Sequence, residues 1–361
     1  MPCGLLFILS GLVKRDRSLV AFGVHTKSFS GNVKNLFLSA EREYSKVFIS
    51  SNRKLIIHLQ EQGHKAYTRY SFEGIYYALK AGTYVYSGFP SDINYWLSRG
   101  AKYVNVWHGT PIKKIERDVS TGYYSLRNRF RSLYLFVAPY LLAKPDALLV
   151  SSPYEEKCFA TAFALDESSF VRAFPPRLES LSSTSNQKKR TANILYTPTW
   201  RDDQSFKVED YVDWHSFNTF LEMQELVFYI KPHPSDNAIY PGTEFSHIAT
   251  ISKDEDIYSE IKKMDILVSD YSSMIFEGLY LAMPVILFCP DYVSYTQKNR
   301  ELYIDPRSIF KSAISSSQEE LEENILKYRK ETFIAQSLGE RFAPYPVQDN
   351  LLRKLVNSAY T

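Results

Sequence analysis

The chain has 361 residues, of which 45% are hydrophobic and 23% are charged, and its formal net charge is +3. This length exceeds one ordinary hydrophobic core and favours two domains. The near-balanced charge and the lack of a recognition motif argue against a nucleic-acid partner. Three scattered cysteines (Cys3, Cys158 and Cys289) exclude a disulfide framework and a cysteine-rich zinc site, and they are typical of a reducing cytoplasm.

The first apolar segment, residues 4–13 (GLLFILSGLV), is too short to cross a membrane, since a spanning helix needs about 20 residues. No basic residue precedes it, so it does not resemble an export signal. We expect either a first buried element or a shallow membrane contact assisted by Lys14, Arg15 and Arg17. The expected location is therefore the cytoplasm, or the cytoplasmic face of the cell membrane as a peripheral protein.

Short apolar runs then alternate with helix-like segments. We predict strands at 18–24, 46–50, 82–88, 102–107 and 146–152. Helices are predicted at 32–43, 52–63, 70–81 and 153–164. Apolar runs without polar alternation indicate strands that are covered on both faces, and hence a parallel sheet surrounded by helices.

A polar, basic and Ser-rich segment at 181–193 (LSSTSNQKKRTAN) interrupts this pattern and is predicted to be a linker. The pattern resumes with the runs ILYTPTW, ELVFYIKPHP, HIATIS, MDILVSDYSS and MPVILFCPD. We therefore predict one α/β domain over 1–180 and a second over 194–361, with a last helix at 348–360 that packs on either domain. Ligands of open parallel sheets bind beyond the carboxyl ends of the strands, so those ends are the places to search.

The first strand end of interest carries WHGTPIKK. Trp107 is expected to end the strand, and His108 follows in a loop with Gly109 and Thr110. A neutral imidazole there can accept a proton near pH 7, and a structural histidine bonded to the backbone is the alternative. The cations that follow would hold an anionic acceptor or membrane headgroups, or would lie on a solvated helix face: Lys113, Lys114 and Arg117. Further basic residues favour an acidic or membrane-surface partner: Arg127, Arg129 and Arg131.

Two further strand ends lie in the predicted C-terminal domain. YTPTWRDD places Thr197, Thr199 and Arg201 after a strand, where they suit a phosphate or a carboxylate, with a plain turn as the alternative. YIKPHPSD places Lys231 and His233 on either side of a proline that fixes the backbone. A cation and a histidine held in this way predict an anion site.

The fourth strand end is VSDYSSMIFEGLYLA. A strand ends near Asp270, Ser272 or Ser273 is the expected N-cap, and a helix is predicted from about Met274. A helix start presents free N–H groups and partial positive charge, which predicts phosphate binding here, whereas capping alone would be structural. Glu277, one turn into the helix, is placed to bond ribose hydroxyls.

Together the four strand ends predict a site for a diphosphate. No aspartate cluster with metal-ligand spacing appears, so the helix start and the basic residues would carry the charge that Mg²⁺ carries elsewhere. We therefore predict catalysis without a metal or other cofactor, the alternative being that Asp202 and Asp270 converge in space. No phosphate-binding GxxxxGK[ST] loop and no GxGxxG follows a strand, which argues against a P-loop ATPase and against dinucleotide chemistry.

The motifs WHGTPIKKI, ILYTPTWRDD, IKPHP and VSDYSSMIFE resemble, in their order and spacing, those of the CDP-glycerol glycerophosphotransferase family, the teichoic acid and capsule polyol-phosphate transferases. The resemblance covers about residues 18–310. It implies a GT-B fold, in which two Rossmann-like parallel-sheet domains face a central cleft. It also implies metal-free transfer of glycerol phosphate from CDP-glycerol to a hydroxyl of a lipid-linked or polysaccharide acceptor, with release of CMP.

The same resemblance implies residue roles. His108 corresponds to the first histidine of the family, the candidate general base, and His233 to the second, near the donor phosphates. Ser272 and Ser273 correspond to the serines at the pyrophosphate. The stretch AFPPRLESL keeps the Pro-Arg pair at 176–177 of an interdomain motif but lacks its glycine and asparagine. The donor could therefore also be CDP-ribitol or another CDP-polyol.

Two other functional classes remain as alternatives. A GT-B sugar-nucleotide glycosyltransferase or epimerase would use a sugar donor in place of a polyol. A nucleotide-binding scaffold in envelope-polymer assembly would need no catalytic groups, and the presence of both His108 and His233 argues against it.

Overall fold

The computed structural model describes residues 2–25, 29–122, 125–182, 193–201, 206–233, 236, 238–253, 255–298, 301–310, 313–330 and 340–361. The chain forms two compact units, and neither is continuous in sequence. The first unit consists of Met1–His108, Leu126–Glu179 and Arg341–Thr361, and the second of Gly109–Ser125 and Ser180–Glu340. Most of the predicted linker, residues 183–192, lies outside the described residues.

The first unit is built on a parallel sheet. Its strands are β1 (Asp16–Gly23), β2 (Ser45–Ser50), β3 (Ala66–Thr68), β4 (Ala81–Tyr86), β5 (Lys102–Asn105), β6 (Ala147–Val150) and β7 (Phe170–Arg172). Their order across the sheet is β3-β2-β1-β4-β5-β6-β7. The five predicted strands are confirmed, whereas β3 and β7 were not predicted because three residues are too few to give a recognisable apolar run.

Helices lie before, between and after these strands in the chain. They are α1 (Pro2–Ser10), α2 (Gly31–Leu38), α3 (Arg53–Glu61), α4 (Phe72–Lys80), α5 (Leu126–Arg129), α6 (Arg131–Val137), α7 (Pro153–Phe163) and α8 (Pro176–Ser182). Alternate residues of β1 belong to two different cores, Val20 and Phe22 to one and Leu19 and Ala21 to the other. This division explains the absence of polar alternation in the sequence of β1.

The second unit is also built on a parallel sheet. Its strands are β8 (Asn193–Thr197), β9 (Val227–Ile230), β10 (Ile248–Thr250), β11 (Ile266–Ser269), β12 (Val285–Phe288) and β13 (Ile314–Ser315). Their order is β10-β9-β8-β11-β12-β13. The helices are α9 (Trp214–Met223), α10 (Ile257–Ile261), α11 (Met274–Tyr280), α12 (Tyr292–Lys298) and α13 (Gln318–Lys330). In this order β8 lies between β9 and β11, so the three predicted strand-end motifs of this unit follow neighbouring strands.

The last helix, α14 (Leu351–Tyr360), belongs to the first unit. Leu352 and Leu355 are fully buried in the core that also holds Val20 and Phe22. The chain therefore returns to its first domain after the second is complete.

Helix α1 is not the first buried element that was one of our two expectations. Its apolar side chains are largely exposed, among them Leu5, Leu6, Ile8 and Leu9. The guanidinium of Arg15 is bonded to the backbone carbonyls of Ala78 and Leu97, at 2.7 Å each, and thus anchors the segment that follows α1. Within the part of the chain that the structure describes, no helix has the length and apolar character needed to traverse a bilayer.

Candidate active site

A strained turn presents the first histidine. Strand β5 ends at Asn105, two residues earlier than expected, and Trp107 adopts a left-handed backbone with φ of 44°. A bulky residue avoids this region, at a cost of about 1–3 kcal/mol, and such strain persists only where the surroundings enforce it. The Asn105 side chain accepts a hydrogen bond from the Trp107 N–H at 2.8 Å. The indole packs edge-on against Phe159 and Phe163, which holds the turn in place.

The imidazole of His108 has a defined tautomer. Its Nδ1 lies 3.0 Å from the backbone oxygen of Ser87. Because a carbonyl oxygen only accepts, Nδ1 carries the proton, and Nε2 of the neutral ring keeps a lone pair. The residue remains exposed. A neutral imidazole with a lone pair on Nε2, in an exposed residue, is the form that a general base requires.

The surroundings keep this ring neutral. Desolvation by the protein atoms around the imidazole is the largest influence and lowers the pKa of His108 below 6.5, even though part of the side chain contacts solvent. The hydrogen bond to Ser87 and the charge of Asp92 oppose this shift, whereas the charges of His25 and Arg177 add to it. The His108 imidazole is therefore unprotonated near pH 7.

Two buried polar residues, Asn32 and Arg177, support the turn that carries His108. Asn32 donates from Nδ2 to the Val106 carbonyl at 2.7 Å, and its Oδ1 accepts from the backbone N–H of Arg177 at 3.2 Å. Arg177 is 2% exposed, so a permanent positive charge lies inside the first unit near His108. Sequence reasoning retained Arg177 as part of a motif but assigned no role to Asn32 or Asn105.

The segment after His108 belongs to the second unit. Its backbone pairs with residues 301–303, where Lys114 N–H donates to the Glu301 carbonyl at 2.8 Å and Tyr303 N–H donates to the Ile112 carbonyl at 2.7 Å. Thr110 is fully buried, and the Lys113 ammonium lies 5.8 Å from the centre of the Tyr295 ring. The peptide bond between His108 and Gly109 is therefore the point where the chain passes from one unit to the other.

Gly109 lies against the start of helix α11. A Cβ atom at this position would lie 2.8 Å from Ser273 Oγ and 3.2 Å from Ser273 Cβ. Such distances are shorter than normal van der Waals contact, so only glycine fits without a shift of Ser273. Glu277 is also close, with its Oε1 4.0 Å from the same point, and its side chain is buried.

Helix α11 begins at Met274, as predicted. Ser273 is the N-cap residue but makes no capping hydrogen bond with its side chain. The Ser272 hydroxyl accepts from the Met274 N–H at 3.3 Å. Both serine side chains are partly exposed next to Gly109 or the helix start, which is compatible with the predicted phosphate contact.

Arg201, which was expected to suit a phosphate or a carboxylate of the ligand, is paired instead with carboxylates of the protein, Asp270 among them. The Arg201 guanidinium is 3% exposed and forms ion pairs with Asp270 at 2.7 Å and with Asp291 at 2.9 Å. Asp270 also accepts from the backbone N–H groups of Thr199 and Tyr271. Burial alone would lower the pKa of Arg201, but the two carboxylates raise it, so the guanidinium stays charged. These polar groups are bonded to one another, so they support the surrounding residues instead of facing a ligand.

The two threonines after β8 behave differently. The Thr197 hydroxyl donates to Ser269 Oγ at 2.9 Å and thus links β8 to β11 inside the sheet. The buried hydroxyl of Thr199 and the buried indole N–H of Trp200 have no hydrogen-bond partner among the residues that the structure describes. Buried polar groups are nearly always satisfied, so these two donors fit a ligand oxygen. Trp200 was not among the predicted site residues.

The two residues on either side of Pro232 differ in their exposure to solvent. Lys231 is buried, and its ammonium donates to the backbone carbonyls of Ser252 and Lys253 at 2.8 and 2.9 Å. His233 is exposed, and its ring stacks on Trp200 with the ring centres 6.2 Å apart. Of the two, His233 presents its side chain to solvent, while Lys231 secures the loop that carries it.

Asp202, which was paired with Asp270 as the alternative metal site, lies outside the described residues. Among the residues on either side of such gaps, no group of three or more His, Cys, Asp or Glu side chains is arranged to hold a metal ion. The Asp270 carboxylate is committed to Arg201 and to two backbone N–H groups.

Comparison with known proteins decides the family. The profile of the CDP-Glycerol:Poly(glycerophosphate) glycerophosphotransferase family matches residues 5–344. The chain belongs to this family. The family and the enzyme class predicted from the sequence are thereby confirmed.

The relatives of this glycerophosphotransferase agree with that assignment. It is 26% identical over 331 residues to a teichoic acid poly(glycerol phosphate) polymerase of Bacillus spizizenii, covering 83% of this chain and 81% of the relative. It is 24% identical over 336 residues to a teichoic acid glycerol-phosphate transferase of Staphylococcus aureus, covering 84% and 82%. A solved variant of the wall teichoic acid polymerase TagF has a TM-score of 0.74 at 18% identity and covers 99% of this chain and 93% of that one. That likeness concerns the fold and confirms the predicted GT-B class with two parallel-sheet domains.

Proposed function

We propose that this family member transfers glycerol phosphate from CDP-glycerol to a hydroxyl of a teichoic or capsular glycan acceptor and releases CMP. The observation that carries the proposal is the state of His108, a neutral, exposed imidazole whose Nδ1 is bonded to Ser87 and whose Nε2 has a lone pair. A phosphoryl transfer to a hydroxyl requires such a group to accept the hydroxyl proton.

The reaction proceeds by one displacement at phosphorus. The acceptor oxygen attacks the β-phosphorus, which bears the glycerol, as its proton passes to Nε2 of His108. A new phosphorus–oxygen bond forms, and the bond between the β-phosphorus and the oxygen bridging to the α-phosphate breaks. The electron pair of the broken bond leaves on the phosphate of CMP.

The donor diphosphate binds at the strand ends of the second unit. The positive end of α11 and the Ser272 and Ser273 hydroxyls contact its oxygens, and His233 stabilises the departing CMP. The buried hydroxyl of Thr199 and the indole N–H of Trp200 supply two further hydrogen-bond donors. Arg201, Asp270, Thr197 and Lys231 act indirectly, because their polar groups are bonded within the protein. Glu277 bonds the ribose hydroxyls of the donor, as the sequence predicted.

The test is a donor screen. Purified protein is incubated with CDP-glycerol, CDP-ribitol or UDP-sugars, each with a lipid-linked disaccharide or a capsular oligosaccharide as acceptor, and the products are identified by mass. We expect CMP release and a mass gain of one or more glycerol-phosphate units with CDP-glycerol. Turnover of a UDP-sugar alone would reject the proposal in favour of a sugar-nucleotide enzyme.

The role of His108 is tested by substitution in the same assay. His108→Ala should lower turnover by about 10²–10⁴-fold while CDP-glycerol binding, measured by calorimetry, is retained. His58→Ala is the matched control, because His58 lies on α3 in the same unit and is exposed. Activity of His108→Ala within a few-fold of the control would remove this residue from the role of base.

We propose further that the first unit contacts the membrane that carries a lipid-linked acceptor. Two of its helices expose apolar side chains, α1 as described and α6 with Leu133, Leu135, Phe136 (72% exposed) and Val137. Arg127 and Arg129 directly precede α6. Exposed apolar residues beside cations are the combination that attaches a helix to an anionic lipid surface.

Sedimentation with lipid vesicles tests this contact. The protein should bind phosphatidylglycerol vesicles more strongly than phosphatidylcholine vesicles, and Leu133→Glu with Phe136→Glu should weaken that binding. The matched control is Met223→Glu with Ile239→Glu, which changes two exposed apolar residues of the second unit. Equal binding by both double variants would reject α6 as the contact surface.

A further inference from the structure

A cavity of about 430 Å³ lies within the first unit, at the carboxyl ends of β1 and β2 and in the turn that follows β4. Its walls include His25, Arg69, Asp92, Trp96 and Tyr140. This volume is in the range of small-molecule sites, and the carboxyl edge of a parallel sheet is where such sites occur. None of the sequence motifs pointed to it.

The cavity and the proposed base share one support. Ser87 accepts the hydrogen bond from His108 Nδ1 with its backbone oxygen, and its Oγ accepts from the backbone N–H of His25 at 3.1 Å. The charges of His25 and Asp92, which both line the cavity, act on the His108 imidazole. A molecule in the cavity would therefore lie against His25 and Asp92, the two residues whose charges act on the proposed base.

Arg69 gives the cavity a hydrogen-bond donor. Its Nη2 donates to the backbone oxygen of Asp92 at 2.7 Å, which fixes the guanidinium. Its Nε is buried and has no partner within the described residues. The carboxylate of Asp92 is held by the backbone N–H groups of Gly88 and Phe89, so it does not occupy Arg69. A buried guanidinium N–H without an acceptor is unfavourable, and an oxygen of a bound molecule would satisfy it.

Aromatic rings form another part of the wall. Tyr95 lies edge-on to Trp96, with ring centres 5.2 Å apart, and 6.1 Å from Tyr140. Three serines and Asn94 also line the cavity. Aromatic faces that stack on C–H groups, combined with hydroxyl and amide groups that bond to hydroxyls, suit a polyhydroxylated ligand.

The same aromatic wall adjoins the exposed apolar helices. Phe7 of α1 stacks on Tyr95, with ring centres 4.9 Å apart and nearly parallel planes. Tyr140 lies in the short 3₁₀ turn at Pro139–Leu142, two residues after α6 ends. An acceptor whose lipid is held in a membrane beneath α1 and α6 would thus reach the cavity with its head group.

We propose that this cavity binds the terminal polyhydroxylated residue of the acceptor, a sugar or a polyol, in the unit that carries His108. Naming the ligand as the acceptor rests on the proposed transferase function. Arg69 bonds an oxygen of that residue, and Trp96 packs against its carbon skeleton.

Steady-state kinetics test whether the cavity binds the acceptor or the donor. With CDP-glycerol as donor, initial rates of CMP release are measured while the concentration of acceptor, then of donor, is varied. Arg69→Gln, which removes the unpaired N–H, and Ser91→Trp, which fills the cavity, should each raise the acceptor KM by about tenfold. The donor KM and the acceptor-independent hydrolysis of CDP-glycerol should stay unchanged, which also shows that both variants are folded. Arg53→Gln is the matched control, since Arg53 is exposed on α3.

An acceptor KM within twofold of the control for both variants would overturn the proposal. If the wild-type protein releases no CMP with any acceptor, the proposed function fails but the cavity is still tested by equilibrium binding. Fluorescently labelled oligo(glycerol phosphate) and a labelled disaccharide serve as probes for a polyol and a sugar terminus. Loss of either probe's affinity in Arg69→Gln and Ser91→Trp supports the site, and unchanged affinity for both probes refutes it.

Discussion

At the scale of single residues, two charges of opposite sign act on His108. Arg177 lowers its pKa and Asp92 raises it, while desolvation, the largest influence, keeps the pKa below 6.5. Because the base must be neutral, the rate rises as pH increases through this lowered pKa. The acidic limb of kcat/KM against pH should therefore lie below 6.5, with a plateau by pH 7.

Because the two charges have opposite signs, removing each one should shift the pH dependence of kcat/KM in an opposite direction. Arg177→Gln removes a positive charge, raises the pKa of His108 and should move the acidic limb to higher pH. Asp92→Asn removes a negative charge and should move it to lower pH, while the amide oxygen keeps the bonds to Gly88 and Phe89. Shifts in the same direction, or no shift in either variant, would show that His108 does not set the pH dependence. Thermal melting of each variant confirms that the comparison is made on folded protein.

At the scale of elements, the segment after His108 lies so close to the start of helix α11 that a side chain at Gly109 would clash with Ser273. Gly109→Ala places a methyl group 2.8 Å from Ser273 Oγ, so Ser273 must move. If Ser273 binds the donor diphosphate, kcat/KM for CDP-glycerol should fall by about tenfold.

A double-mutant cycle isolates this contact. In a Ser273→Gly background the added methyl group has no close contact left and only an ordinary one with Glu277 Oε1 at 4.0 Å, so Gly109→Ala should have little further effect on kcat/KM. Additive losses would show that Gly109 acts independently of Ser273.

Helix α14 is expected to contribute strongly to the stability of the first unit. Leu355 is fully buried in the core with β1, so Leu355→Ala should lower the free energy of unfolding by about 2–5 kcal/mol. Asn357→Ala on the exposed face of the same helix should change it by less than about 0.5 kcal/mol. Urea denaturation followed by circular dichroism measures both. A similar effect of the two substitutions would mean that α14 does not belong to the cooperative core.

At the scale of the whole molecule, we predict that catalysis proceeds without a metal ion. The start of α11, His233 and the donors on Thr199 and Trp200 would stabilise the charge on the leaving CMP, at about 1.5–3 kcal/mol for each charge-assisted hydrogen bond. Turnover should therefore survive exhaustive EDTA treatment. Loss of activity that Mg²⁺ or Mn²⁺ restores would contradict the prediction, and Asp202 and Asp203 would then become the residues to substitute.

Much of the architecture could be predicted because parallel strands that are buried on both faces leave continuous apolar runs, as β1 does with its alternate residues in two cores. The short strands β3, β7 and β13 were not predicted, because two or three residues are too few to form such a run. The strand ends pointed to His108, His233 and the serines before α11, since position along the chain determines which edge of a sheet a residue occupies.

What could not be predicted depends on which residues meet in space. Arg201 was expected to bind phosphate, because nothing in the sequence shows that Asp270 and Asp291 converge on it across 69 and 90 residues. The left-handed backbone of Trp107 is imposed by Asn105 and by aromatic packing, and local sequence favours an extended strand there. The assignment of residues 109–125 to the second unit depends on backbone pairing with residues 301–303, which has no local signal.

The position of α14 has a consequence for how the protein is made. On the ribosome, Leu351 appears about 180 residues after the last strand of the first sheet, which at 5–20 residues per second is a wait of about 10–35 seconds. During that interval the nascent first sheet lacks the leucines of α14 that help to cover one of its faces, while the strands of the second domain are made one after another. The first domain therefore gains its last helix only after the last strand of the second domain has been made, and until then the growing chain presents a partly uncovered apolar sheet face to chaperones.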